Sequence, residues 1–208
     1  MRTDFEPLLQ PVEIMDLRPT QMTVGMREVR FKRAEWRHRA ATDASDFLGR
    51  HLLPAVLGPK KRPYIVDNHH LARALHDEGV KHVLIHVIAD LGSLEKPAFW
   101  TFMDCRNWLH PFDADGVRKT HRDLPASIDE MVDDPYRSLA GELRRAGGYA
   151  KDPTPYSEFL WADYLRRLID RKAIEKGFDK AVAEAVGLAR RKDAAYLPGW
   201  CGPAGDAD

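Results

Sequence analysis

The sequence predicts an α/β fold of the α+β kind, a small mixed sheet with flanking helices followed by a C-terminal helical region. Three observations carry this. Residues 81–89 alternate as a strand does, with Val83, Ile85 and Val87 on one face and His82, Leu84, His86 and Ile88 on the other. Tyr64-Ile65-Val66 is a second apolar run, which passes through Asp67-Asn68 into Ala72-Arg73-Ala74-Leu75, a strand–turn–helix junction. In the second half of the chain the apolar residues recur mostly at helical spacing.

In chain order, residues 12–17 form a first strand closed by Arg18-Pro19. Residues 23–39 are charged, with helical spacing at Met22, Met26, Val29 and Arg33. A short helix at 46–53 has Phe47, Leu48 and Leu52 as its stripe, and Pro54 ends it. Strand 55–57, the basic turn 58–62 and strand 63–66 follow. Helix 68–78 turns Leu71, Ala74 and Leu75 to the sheet, with Gly79 as C-terminal cap. Strand 81–89 has so little polar interruption that both its faces are expected to be covered. Helix 94–108 carries Phe99, Trp100, Phe102 and Trp108, read as core rather than as a stacking platform. Residues 109–119 form a hairpin turning at Asp113-Ala114-Asp115-Gly116.

Helix Pro135–Arg145 is bounded by its own chemistry. Asp134 caps it, Pro135 opens it, Arg144 and Arg145 sit at its negative end, and Gly147-Gly148 stop it. Thr154-Pro155 opens another helix, with Trp161, Tyr164, Leu165 and Leu168 inward. A single last helix carries Ile174, Phe178, Ala181, Val182, Ala185, Val186 and Ala189 and ends at Arg190-Arg191-Lys192. The expected organisation is a core over 8–110, a helical extension over 111–192 packed on it, and a loose tail over 193–208, onto which Leu197 and Trp200 could dock.

The chain has 208 residues, 44% of them hydrophobic, enough for a real core. Its 32 basic and 32 acidic residues cancel, which argues against nucleic-acid binding by overall charge but leaves a local basic face open. Cys105 and Cys201 alone exclude a disulfide scaffold or a zinc ribbon. No stretch reads as a signal peptide or a membrane span, so a soluble, cytoplasmic protein is expected.

The chemistry concentrates at Asp67-Asn68-His69-His70-Leu71. A helix start offers unpaired N–H groups and a partial positive charge, which hold phosphate, and the adjacent histidines can donate, shuttle protons or bind metal. Histidines that only cap and pack the junction are the plainer alternative. The chain resembles the ParB/sulfiredoxin superfamily and its ParB-like nuclease branch, through these residues and others in order. They include Pro11-Val12-Glu13-Ile14, Arg18-Pro19-Thr20-Gln21, Ala55-Val56-Leu57-Gly58-Pro59 and Phe99-Trp100-Thr101-Phe102-Met103, and then Asp133-Asp134-Pro135-Tyr136-Arg137 and Glu158-Phe159-Leu160-Trp161. The resemblance covers roughly residues 10–168.

The resemblance implies a turn that holds nucleotide phosphates. Asn68 stands where the branch has glycine, and asparagine tolerates a left-handed backbone. His69 stands where sulfiredoxins have their cysteine, which removes that chemistry. Leu71 replaces a phosphate-contacting arginine, for which Arg73, later in the motif, is a substitute. Gln21 falls in the segment that approaches the phosphates, and Thr20 and Thr23 are further candidate ligands.

The expectation is therefore a protein that binds a nucleotide or another small phosphate-containing ligand, a phosphohydrolase or phosphotransferase if catalytic. His69, His70 and Glu28 are its candidate catalytic groups, and Gln21, Thr20, Thr23, Asp67, Asn68 and Arg73 its binding groups. Glu28 as a solvated helix residue is the alternative to Glu28 as a base. The cofactor is not fixed by the residues, a nucleotide with Mg²⁺ being the candidate. No metal ligands are assigned, because Asp133-Asp134 is explained by capping. Lys60-Lys61-Arg62 reads as a solvated turn. A DNA-associated or nuclease-type protein is the rival, with Arg27, Arg30, Lys32, Arg33, Arg37 and Arg39 as its basic groove, but no helix-turn-helix is evident. A non-catalytic interaction protein is the third reading. No membrane partner is expected, and self-association into a homo-oligomer stays open.

Overall fold

A computed structural model describes residues 9–203. The chain divides into two units, one of residues 1–24 and 29–132, the other of residues 25–28 and 133–208. This boundary replaces the expected one at 110/111: the hairpin and the turns that follow it group with the sheet, and a four-residue piece far upstream groups with the C-terminal helices. The expectations for residues 1–8 and for the last five residues of the tail lie outside the described residues.

The first unit contains β1 (Leu9–Glu13), β2 (Arg18–Pro19), β3 (Thr23–Val24), most of α1 (Met26–Arg50), β4 (Leu53–Leu57), β5 (Pro63–Ile65), α2 (His69–Asp77), β6 (His82–Asp90) and α3 (Lys96–Cys105). Its mixed sheet runs β1-β6-β4-β5-β2, with β4 parallel to β6, β2 parallel to β5, and the other two pairs antiparallel. The expected first strand is broken by a 3-10 turn at Ile14–Asp16, so its two ends join different edges of the sheet. The two expected helices at 23–39 and 46–53 run together, with a break in helical geometry at Asp43, and the chain turns extended at Leu53 rather than beyond it.

Leu71, Ala74 and Leu75 of α2 are buried as expected, and Gly79 adopts φ 74°, the left-handed value a C-terminal cap needs. On β6 only one face is deeply covered: Val83 and Ile85 are buried, while His82 and Ile88 are exposed. The long apolar run therefore did not require cover on both sides. The hairpin turns at Gly116, where the Asp113 N–H donates to the Val117 carbonyl (3.1 Å).

The second unit is helical: α4 (Pro135–Arg145), α5 (Ser157–Arg166), α6 (Arg171–Lys176) and α7 (Phe178–Ala189). α4 has the bounds its sequence implies, and the Asp134 side chain accepts from the Tyr136 N–H at 3.0 Å. The expected single last helix is two, because Gly177 takes an extended φ of −158° between α6 and α7. Leu168, expected inside, is exposed. The tail is docked through Trp200 rather than loose. Leu197 is buried, the Ala150 N–H donates to the Gly199 carbonyl (2.7 Å), and Trp161 Nε1 donates to the Pro198 carbonyl (2.8 Å).

The core of this unit also holds two phenols. Tyr149 stacks on Trp161 (centroids 4.5 Å apart), and burial pushes its hydroxyl far up. Tyr164 is pushed up to about 12, first by burial and then by its hydrogen bond to Asp193 (2.9 Å). Both hold their protons in the folded state beyond the pH, about 10, at which an unfolded tyrosine ionises. Their contribution is complete below about pH 10 and is lost as pH rises towards the folded values. Urea unfolding midpoints are expected to fall steeply above about pH 10, and midpoints that hold to about pH 12 would contradict this reading.

Candidate functional site

The turn between β5 and α2 has the expected backbone. Asn68 adopts φ 61°, ψ 27°, the left-handed conformation that glycine or asparagine supplies most readily. Its N–H is held by Asp67 Oδ1 (2.7 Å), and its side chain donates to the Leu52 carbonyl (3.1 Å). Both residues are exposed.

His69 is turned inward, only 2% exposed. The Thr20 N–H donates to its Nε2 at 3.2 Å, so this ring nitrogen serves as an acceptor. Thr20 in turn donates its hydroxyl to the Ile65 carbonyl (2.9 Å), and its own carbonyl accepts from the His110 N–H (2.9 Å). Thr20, Gln21 and Thr23 are all buried. His70 is half-buried at the second position of α2.

Arg73 is occupied. Its Nε pairs with Asp77 (2.9 Å), and Nη1 donates to the carbonyls of Asp129 (3.0 Å) and Met131 (2.7 Å), tethering the 128–131 turn. Glu28 belongs to the second unit. It is buried rather than solvated and makes a two-pronged ion pair with Arg145, at 3.0 Å for Oε2–Nη1. The candidates thus separate into an inward latch (Thr20, His69), two further buried side chains (Gln21, Thr23), an exposed turn (Asp67, Asn68) beside half-buried His70, a tether (Arg73) and an ion pair of the other unit (Glu28). The arginines proposed for a groove are engaged elsewhere in part: Arg33 and Arg37 both pair with Glu78.

Sequence reasoning missed a cleft at the other end of β5. Lys60 and Lys61 take positive φ (63° and 57°), a tight basic turn that leads through Arg62 into the strand. A cavity of about 720 Å³ opens there, with Lys60, Arg62, Lys96 and Arg122 around Tyr64 and Trp100. A second, of about 270 Å³, adjoins it and shares Arg62, Tyr64, Trp100 and His121, with Arg18 added. No Asp or Glu is among the described residues lining either.

Lys61 is drawn off to Asp90, but Arg18, Lys60, Arg62, Lys96 and Arg122 make no ion pair among the described residues. Arg18 Nε is buried without a hydrogen-bond partner. Burial raises the Tyr64 phenol, and the charges of Arg62 and then Arg18 pull it partly back. Trp100 meets Tyr64 edge-on (5.4 Å, 86°) and stacks on His121 (4.9 Å, 17°). Phe99 is buried as expected and also borders the larger cleft, Trp100 is only half-buried and lines both, and Phe102, expected in the core, is exposed. A basic run directly before a strand containing Tyr64 was the available signal.

No group of three His, Cys, Asp or Glu side chains among the described residues gathers as a metal site. Cys105 and Cys201 are free and exposed, and no helix among the described residues is long and apolar enough to cross a membrane.

Both the mixed sheet and the strand–turn–helix junction are those of the ParB-like class. Residues 10–167 match the family described as "Putative ParB-like nuclease", and the chain belongs to that family. It is similar to protein Atu1540 from Agrobacterium tumefaciens, known from a crystal structure, with 51% identity and a TM-score of 0.89 over 95% of this chain and all of that one. No curated protein matches it.

Proposed function

We propose that this ParB-like protein binds a ligand that combines phosphate with an aromatic base, a nucleotide or part of a nucleic acid, and that it does so in the basic cleft rather than at the histidine turn. One observation carries the reading: cations from separate chain segments, without ion pairs among the described residues, line the clefts with stackable aromatic rings and no carboxylate among the described lining residues. Lys60, Arg62, Lys96 and Arg122 are exposed and keep their hydration, and the positive field that they sum over a concave cleft draws anions to it. A charge-assisted hydrogen bond contributes about 1.5–3 kcal/mol and base stacking about 1–3 kcal/mol, so a few of each suffice for micromolar affinity. The inward-turned His69 and the tethered Arg73 leave the turn at Asp67–Leu71 as support for the segment that carries Arg18 and Pro19.

The test is calorimetric titration with nucleoside triphosphates and short oligonucleotides. Arg62→Gln is expected to weaken binding about tenfold, with His70→Ala leaving it unchanged. The reverse pattern returns the site to the turn, and an absence of binding by every nucleotide and oligonucleotide overturns the reading.

A further inference from the structure

The two adjoining clefts point to more than one nucleotide. We infer, on the basis of the binding function proposed above, that the ligand is an unpaired nucleic-acid strand with successive nucleotides in the two clefts. The larger, at about 720 Å³, is within the range of small-molecule sites by itself, and a mononucleotide would leave the second unused. Arg62 lines both clefts and is placed to meet the phosphate that joins two nucleotides. Arg18 serves only the smaller cleft, and Lys60, Lys96 and Arg122 only the larger, so charge is spread along a path instead of gathered in one nest.

The shared wall is aromatic. Trp100 and His121 lie nearly parallel (17°), and both line each cleft. A cationic groove with stacking rings suits single strands, since every base has a face to offer and no edge is being read. Bases of a duplex are stacked on one another and are not available to Trp100 and His121. Duplex readout also calls for an element that enters a groove, whereas here the rings and cations line concave clefts.

The experiment is an anisotropy titration of the whole protein with labelled 12-nucleotide strands, one deoxy and one ribo. The unlabelled duplex and a nucleoside triphosphate serve as competitors. A strand of at least one sugar type is expected to bind at least tenfold more tightly than the duplex and a hundredfold more tightly than the triphosphate. Its log–log salt slope should be about −2 to −4, from about −0.7 per phosphate met. Arg62→Gln with Lys96→Gln should flatten that slope by about 1.4. Trp100→Leu should weaken binding at least fivefold and leave the slope unchanged. Arg122→Gln, at an exposed position, repeats the charge test should Trp100→Leu fail to fold.

Equal affinity for strand and triphosphate, or for strand and duplex, overturns the inference and leaves the binding function standing. Binding that Arg62→Gln with Lys96→Gln leaves untouched places the strand elsewhere and overturns it too. If neither triphosphate nor strand binds, both fall.

Discussion

Replacing His69 with Ala is expected to destabilise the protein by about 3 kcal/mol while leaving ligand affinity within twofold. The side chain is 2% exposed, and its Nε2 is the acceptor for the Thr20 N–H at 3.2 Å. Truncation opens a cavity and leaves a buried donor without that acceptor, two costs that add. Thr20 also ties to Ile65 through its hydroxyl, so part of the segment's position survives, which keeps the figure at the low end of large-to-small core losses. His69→Gln, whose amide oxygen can accept, should recover part of the loss. Urea unfolding and calorimetric titration on the same samples separate the two roles. Lost affinity with stability intact would make His69 a ligand-binding group.

A second large effect is expected at Asp134. Its carboxylate caps α4 through the Tyr136 N–H and pairs with Arg166 Nη2 at 2.6 Å, in a site where Asp134 is 2% exposed. Asp134→Ala removes the cap and strands a largely buried guanidinium, and breaking such a pair costs about 3–5 kcal/mol. Burial outweighs the pull of Arg166 and holds the Asp134 carboxyl above the usual range. The ion pair therefore returns less than its attraction alone, and the expected loss is about 3 kcal/mol. A loss below about 1 kcal/mol would show that Arg166 finds another partner or reaches water.

The parts of the fold readable from sequence are those that local chemistry decides. α4 begins and ends where Asp134, Pro135 and Gly147 place it, and Asn68 takes the left-handed turn that its side chain tolerates. The sheet followed from apolar runs, though whether a second layer covers β6 depends on contacts that alternation does not encode. Gly177 broke a helical stripe that the apolar spacing alone carried across it.

The site was less readable because it is tertiary. Arg18, Arg62, Lys96 and Arg122 come from distant parts of the chain, and only the fold shows that they line two adjoining clefts with no carboxylate among the described lining residues. Taken singly, Lys60-Lys61-Arg62 has the look of any solvated turn, and Trp100 that of any core aromatic. Zero net charge concealed the imbalance, because pairs such as Arg33–Glu78 and Arg145–Glu28 cancel elsewhere. Glu28 was misread for the same reason, its partner lying 117 residues away.

The most direct measurement is a crystal structure of the protein with a short oligothymidylate. Binding in the basic cleft requires phosphate density against Arg62 and Lys60, with a base against Trp100 or His121. Phosphate seated instead on the backbone amides of His69, His70 and Leu71, with the basic cleft empty of ligand, would contradict it.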